Sequence, residues 1–158
     1  QQPPQIASSV ATLSFETEPM AEPTEFTGPV SLTLHASIDA TDTTWMGRLR
    51  DVPPSGEPST LSRGYLRASH RAVDEARSTP GAPHHPHTDP EPVPRDEVVE
   101  YAIGFPPIGH VFGAGHRLEL ELRSMEMPFQ HTVGLPPGYH HLPHATAITH
   151  RVHHSGAQ

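Results

Sequence analysis

Two segments of the chain alternate strictly between hydrophobic and polar residues. In residues 29–40, "PVSLTLHASIDA", the apolar positions on one face are Val30, Leu32, Leu34, Ala36 and Ile38. In residues 116–125, "HRLELELRSM", they are Leu118, Leu120 and Leu122. A period of two is typical of a half-buried β-strand, because successive side chains point to opposite faces of the sheet. Each segment therefore predicts a strand with one face in the core.

Weaker strand patterns occur elsewhere along the chain. They cover residues 6–16, 45–52, 61–70, 98–105 and 145–153. Runs rich in proline and glycine, which form turns, lie at residues 53–58, 105–109 and 135–139. Strands at this spacing predict one all-β domain over residues 1–158, an antiparallel jelly-roll β-sandwich of about seven or eight strands.

Residues 79–94 fit none of these strands, because they contain six prolines. Proline cannot donate a hydrogen bond to a sheet, so the segment is predicted to be a long, semi-rigid loop. Such a loop inside a domain usually carries function or lies on a partner surface. The preceding residues 70–78, "HRAVDEARS", predict a short helix of about two turns.

Composition excludes several classes of protein. The 158 residues contain no cysteine, so disulfides and thiolate metal sites are ruled out. All ten basic residues are arginines, and the net charge of −8 argues against nucleic acid as a partner. No apolar run is long enough for a membrane span, and the first residues do not resemble a signal peptide. We therefore expect a cytoplasmic location, with secretion left open, and a chain cut from a longer protein.

The fourteen histidines raise the question of a metal site. His85, His87 and Asp89 have a spacing that suits zinc or copper if the loop is extended. The histidine-rich residues 137–154 divide into a loop, 137–143, and a strand in which His150 and His154 face away from His153. Those histidines cannot converge on one ion, so we assign no metal ligand and no cofactor and keep a metal-binding protein as an alternative.

Other candidate residues have ordinary structural explanations. Glu119 and Glu121 could be an acid–base pair, but they are predicted to form ion pairs on a solvated sheet face flanked by Arg117 and Arg123. Trp45 is predicted to lie in the core. Gly113 and Gly115 are predicted to supply positive φ angles to a turn. A groove lined by Tyr65, Tyr101 or Tyr139 would instead indicate a carbohydrate- or ligand-binding module.

Several short motifs, in this order, carry a family resemblance. They are the T-G-P of residues 27–29, the D-T-x-W step of 39–45, "LRDVPPSG" at 49–56, "LSRGYLRASHR" at 61–71 and "HVFGAGHRL" at 110–118. Together they resemble the C-terminal domain of the X-prolyl dipeptidyl-peptidase and cocaine-esterase-like serine hydrolases. The resemblance implies a galactose-binding-like jelly roll that packs on an α/β-hydrolase domain of the same polypeptide and shapes its substrate pocket.

The resemblance places the chemistry outside this chain. The family's Ser-His-Asp triad belongs to the α/β-hydrolase domain, which would cleave esters or amides through an acyl-enzyme. Ser55 and Ser155 lack the strand–turn–helix setting of a nucleophile elbow, so no residue here is assigned a catalytic role. The resemblance makes His116 a structural residue of its turn. We expect residues 79–94 and 127–143 to face the catalytic domain, and a homo-oligomer is left open.

Overall fold

The computed structural model describes residues 12–124 and 147–154. Its elements are seven β-strands and one short 3-10 helix. The strands are β1 (Leu13–Glu16), β2 (Thr24–Ile38), β3 (Thr44–Val52), β4 (Ser59–Arg67), β5 (Val99–Phe112), β6 (Arg117–Arg123) and β7 (His150–His153), and the helix is Ala68–His70. No helix of the described residues is long and apolar enough to cross a membrane.

The strands form two sheets that pack into a sandwich. One sheet has four strands in the order β1-β6-β3-β4, and the other has three in the order β5-β2-β7. Neighbouring strands in both sheets pair in the antiparallel direction. Non-consecutive strands are thus adjacent in both sheets, which confirms the antiparallel all-β sandwich predicted from the alternating pattern.

The core lies between the two sheets and uses the alternation of β2. Leu34, Ala36 and Ile38 are at most 3% exposed, while His35 between them faces outward. Tyr101 of β5 and Trp45 of β3 pack together with ring centroids 5.5 Å apart. Trp45 is 2% exposed, which confirms its predicted place in the core. Full burial of a large apolar side chain contributes about 1.5–3 kcal/mol, so this layer holds the sheets together.

The longest strands, β2 and β5, share one irregularity. Gly28 has φ +126°, and the pairing with β5 shifts between Gly28 and Val30. Opposite this point lie Pro106 and Pro107, inside β5. The prediction of a separating turn at residues 105–109 was therefore wrong. β5 is an edge strand, so the nitrogen of one of the two adjacent prolines can face its open side. The other proline falls at the register shift, where no ladder bond is made, so the strand continues through both.

The segment between β4 and β5 contains no α-helix, contrary to the prediction for residues 70–78. Within residues 70–78 only one turn forms. The carbonyl of Asp74 accepts a bond of 3.0 Å from the backbone N–H of Ser78, and the side chain of Asp74 accepts one of 3.1 Å from the N–H of Ala76. A side chain that bonds its own backbone offers an alternative to continued helix, which explains the early stop.

The short strand β7 forms the outer edge of the three-stranded sheet. His150 pairs opposite Ile38 on the core side, and its Nε2 lies 2.8 Å from Oγ1 of Thr43. His153 points outward, with Nε2 3.0 Å from Oγ of Ser37. The predicted division of these two histidines between opposite faces is therefore confirmed. The loop at 137–143 lies outside the described residues.

Candidate functional site

Two separate sequence motifs meet at the carboxylate of Asp51, one carrying Asp51 and the other His110 and His116. Asp51 ends the core-facing row of β3 and is 6% exposed. Its oxygens lie 2.8 Å from Nε2 of His110 and 2.7 Å from Nδ1 of His116. A neutral imidazole donates through one ring nitrogen, so the carboxylate selects the Nε2–H form of His110 and the Nδ1–H form of His116. Both oxygens are used in holding strand ends together, so the cluster is a structural joint.

The turn before β6 is built around His116. Its backbone N–H bonds the carbonyl of Gly113 at 3.1 Å. Gly115 has φ +81°, as predicted. The prediction of a positive φ at Gly113 was wrong, and a glycine is needed there for a different reason. A Cβ at Gly113 would lie 2.8 Å from Nε2 of His116, so the residue must be small to let the ring pass. These contacts support the structural role that the resemblance implied for His116.

Asp42, in the D-T-x-W step, is a second hydrogen-bonding centre. One oxygen accepts hydrogen bonds from the backbone N–H groups of Thr43 (3.0 Å) and Ser69 (2.9 Å). The other accepts hydrogen bonds from the hydroxyl of Ser69 and from Nε–H of Arg67. Burial acts to raise the pKa of Asp42, but these hydrogen bonds and the charge of Arg67 outweigh it and lower the pKa below its ordinary value. Asp42 lines an open groove of about 420 Å³. Because its oxygens are already engaged, the carboxylate is not a free catalytic base there.

Glu119 and Glu121 lie on the outer face of the four-stranded sheet, as the alternation predicted. Glu121 pairs with Arg48, Arg50 and Arg123, which confirms the predicted ion pairs. The prediction of a solvated position was wrong, since Glu119 and Glu121 are only 7% and 5% exposed. The register places β3 beside β6, and the long arginine side chains of β3 cover the carboxylates.

The protonation of Glu121 follows from these neighbours. Burial acts to raise the pKa of Glu121, but hydrogen bonds from Arg48 and Arg50 and the charges of Arg48 and Arg123 together lower the pKa below its ordinary value. Glu121 is therefore ionised at neutral pH. A carboxylate held in this state by three guanidinium groups cannot serve as a general acid at neutral pH.

The proline-rich residues 79–94 pack against the domain itself. Pro83 lies 3.5 Å from the position of a Cβ on Gly104 of β5, and Val93 is 2% exposed. The ring nitrogens of His85 lie 2.9 Å from the carbonyl oxygen of Ala72 and 2.8 Å from that of Ala102. One side of the loop therefore packs along β5 of the three-stranded sheet, while Ser31, Thr33 and His35 of β2 are exposed. The expectation that the loop faces a catalytic domain stays a prediction for its outward side.

The metal hypothesis finds no support in this loop. Both nitrogens of His85 are directed at backbone carbonyls, whereas a metal ligand needs a nitrogen lone pair directed at the ion. His85 and His87 rings lie 5.9 Å apart in a tilted contact. Within residues 12–124 and 147–154, no group of three His, Asp or Glu side chains is arranged to hold a metal ion.

The tyrosines proposed for a sugar groove do not share a surface. Tyr101 is fully buried in the core, and Tyr65 is 42% exposed on the outer face of the four-stranded sheet. Tyr139 lies outside the described residues. Because a sugar platform needs exposed aromatic rings on one surface, Tyr65 and Tyr101 do not form one.

Exposed apolar side chains are distributed over several strands. Leu13 and Phe15 of β1 are 43% and 39% exposed on one strand face, while Phe26 lies on β2 and Val111 on β5. Ser55 lies in the exposed turn between β3 and β4, without the helix that a nucleophile elbow requires. Ser155 lies outside the described residues.

The described residues form an all-β sandwich in which the sequence motifs build structural hydrogen-bond clusters. Residues 4–158 match the family model described as the X-Pro dipeptidyl-peptidase C-terminal non-catalytic domain. The chain belongs to this family, as its motifs predicted.

Individual relatives agree with this assignment. The chain is 30% identical to cocaine esterase of Rhodococcus sp. (strain MB1 Bresler) over 116 residues, which are 73% of this chain and 18% of that protein. A CocE/NonD family hydrolase from Staphylococcus aureus superposes with a TM-score of 0.79 at 24% identity, covering 89% of this chain and 28% of the other. An aminopeptidase from a Thaumarchaeota archaeon gives 0.63 at 29% identity, covering 77% and 19%. The chain thus spans about a fifth to a quarter of the relatives it matches.

Proposed function

We propose that this domain packs on an α/β-hydrolase catalytic domain of the same polypeptide, stabilises it and shapes its substrate pocket. The observation that carries the proposal is the match of residues 4–158 to a non-catalytic C-terminal domain that forms a minor part of longer hydrolases. The complete protein would cleave an ester or amide bond through an acyl-enzyme.

The chemistry of the described residues supports a non-catalytic role. The carboxylates of Asp51, Asp42 and Glu121 are each engaged by two or more donors. A general base needs an oxygen that can reach a substrate proton, and a nucleophile needs such a base beside it. These three carboxylates are instead part of the joints that give the sandwich its shape.

The test uses a fluorophosphonate probe, which labels activated serine nucleophiles, on the polypeptide encoded by the complete reading frame. We expect labelling at one serine outside residues 1–158 and hydrolysis of p-nitrophenyl acetate that the probe abolishes. A Ser55→Ala variant should keep full labelling and activity. Labelling at Ser55 or Ser155, or a reading frame that encodes no hydrolase domain, would overturn the proposal.

A further inference from the structure

Six of the ten arginines lie on one side of the sandwich. The outward positions of β3, β4 and β6 carry Arg48, Arg50, Arg63, Arg67, Arg117 and Arg123. We call this outer surface of the four-stranded sheet the arginine face. The carboxylates that oppose these arginines include Glu16, Glu119 and Glu121 on the strands and Asp42, which pairs with Arg67. The face therefore has an excess of positive charge in a chain whose net charge is −8.

The layering of these charges directs the positive groups outward. The carboxyl groups of Glu119 and Glu121 are 10% and 6% exposed, whereas the side chains of Arg48 and Arg123 are 22% and 29% exposed. Each guanidinium has five N–H donors, more than the few that the shared carboxylate of Glu121 can accept. Donors not used on Glu121 can therefore meet acceptors that lie above the face.

The other outer face carries exposed charges of both signs. On the three-stranded sheet, the side chains of Glu100 and Arg151 are 64% and 53% exposed, and Pro83 packs on Gly104 of β5. The arginine face instead combines arginine with Tyr65, which is 42% exposed. Arginine and tyrosine are among the residues enriched in protein interfaces.

The size of the arginine face also suits a contact between domains. Four strands spaced roughly 4.8 Å apart, each with about seven residues of roughly 3.3 Å, give about 440 Å² per side, or about 900 Å² in total. Interfaces between domains of one chain typically bury about 600–1,500 Å². The arginine face is therefore large enough for such a contact without any contribution from residues 79–94.

We infer that the arginine face is the surface that docks on the catalytic domain, and that the catalytic domain presents carboxylates to it. This inference rests on the proposed function and names the contact surface that the proposal leaves open. Charge complementarity of this kind fixes the orientation of two partners and makes their contact sensitive to salt. The catalytic domain would thus be oriented by paired charges across the sheet face.

The first experiment labels arginines with phenylglyoxal in the complete polypeptide and reads each site by mass spectrometry. Arg63 is exposed, the side chain of Arg117 is 36% exposed, and that of Arg151, on the opposite sheet, is 53% exposed. Because an interface removes side chains from solvent, we expect Arg63 and Arg117 to react about tenfold more slowly than Arg151. In 0.5 M NaCl the difference should shrink, since salt screens the charges.

The outcomes separate the inference from the proposed function. Slow labelling of Arg151 with fast labelling of Arg63 and Arg117 would overturn the arginine face as the docking surface and leave the proposed function standing. Fast labelling of all three arginines would overturn the inference, and a reading frame without a hydrolase domain would overturn the proposed function as well.

A charge reversal tests the same surface by its effect. The double variant Arg63→Glu/Arg117→Glu should split the unfolding of the complete polypeptide into two transitions, because the domains no longer stabilise each other. Arg151→Glu is the matched control, since it makes the same change on the other sheet, and should keep one transition. Arg63→Ala, which adds no repulsion, should give a smaller shift in the same direction. A single transition in the double variant would contradict the inference.

Discussion

The two sheets of this domain complete their outer faces by different means. Residues 79–94 cover the β5 side of the three-stranded sheet, where Pro83 packs on Gly104 and the ring nitrogens of His85 lie 2.9 Å and 2.8 Å from two backbone carbonyl oxygens. The four-stranded sheet has a layer of ion pairs, in which arginines cover Glu121. The first cover uses its polar groups on its own chain, while the second keeps charged donors at the surface.

This difference shows that low exposure of a side chain does not by itself exclude its sheet face from binding a partner. Glu121 is as well buried as many core residues, yet the groups that bury it are charged and can bind further acceptors. The ring of His85 is equally engaged, but its neighbours are two backbone carbonyls and the ring of His87. The chemistry of the covering groups determines whether a face of the sheet can bind a partner.

The largest effect is expected on the four-stranded sheet. Glu121→Gln keeps the shape of the side chain but removes the charge that Arg48, Arg50 and Arg123 share. Removing one partner of a buried ion pair leaves the others uncompensated, so the free energy of unfolding should fall by about 3 kcal/mol. Urea denaturation measures it. Glu16→Gln, at an exposed pair with 3.9 Å separation, is the control and should change it by less than about 0.5 kcal/mol. Equal losses of unfolding free energy in the two variants would contradict the expected difference between buried and exposed ion pairs.

A smaller effect is expected when the loop over the three-stranded sheet is released. His85→Ala leaves the carbonyls of Ala72 and Ala102 without their side-chain partner, which should cost about 2 kcal/mol. Residues 79–94 should then be cut faster by a protease such as thermolysin, while cleavage elsewhere stays unchanged. Unaltered cleavage of the loop would show that Pro83 and Val93 alone hold it in place.

Acid should weaken the ion-pair layer specifically. The pKa of Glu121 is lowered in the folded protein, so its contribution is present above the unfolded carboxyl value, about pH 4.3, and is lost as the pH falls through the lower folded value. The stability difference between the wild type and Glu121→Gln should therefore shrink between about pH 5 and pH 2. Denaturation series at several pH values measure it. A difference that stays constant over this range would contradict the assigned charge state.

The smallest effect is expected at an exposed pair beside the loop. His35 and Glu100 lie 3.2 Å apart on the outer face of the three-stranded sheet, with side chains 51% and 64% exposed. His35→Ala should change the unfolding free energy by less than about 0.5 kcal/mol, because exposed pairs contribute little. Thermal denaturation beside His85→Ala makes the comparison. A loss as large as that of His85→Ala would mean that the two histidines are equally important to this face.

The local pattern predicted the strands but not the chemistry of their outer surface. Alternation identified the core face of β2, because burial on a strand repeats every second residue and is visible in the sequence. The burial of Glu121 depends on Arg48, 73 residues away, and on the register that places β3 beside β6. No short window of sequence contains that information.

The same limit explains the other corrections. Pro106 and Pro107 indicated a turn, but they lie in an edge strand whose open side needs no N–H donors. The motif residues Asp51, His110 and His116 were each visible, yet only the folded chain shows that two imidazoles share one carboxylate. Contacts between distant segments were therefore the part that the sequence could not predict.

The position of β2 in its sheet also has a consequence for synthesis on the ribosome. Both of its neighbours, β5 and β7, come later in the chain, and His153 pairs with His35 across more than a hundred residues. Non-local pairings of this kind form slowly, and an unpaired strand edge invites aggregation. During translation one edge of β2 must therefore stay open until β5 has left the exit tunnel, and the other edge until β7 has left it.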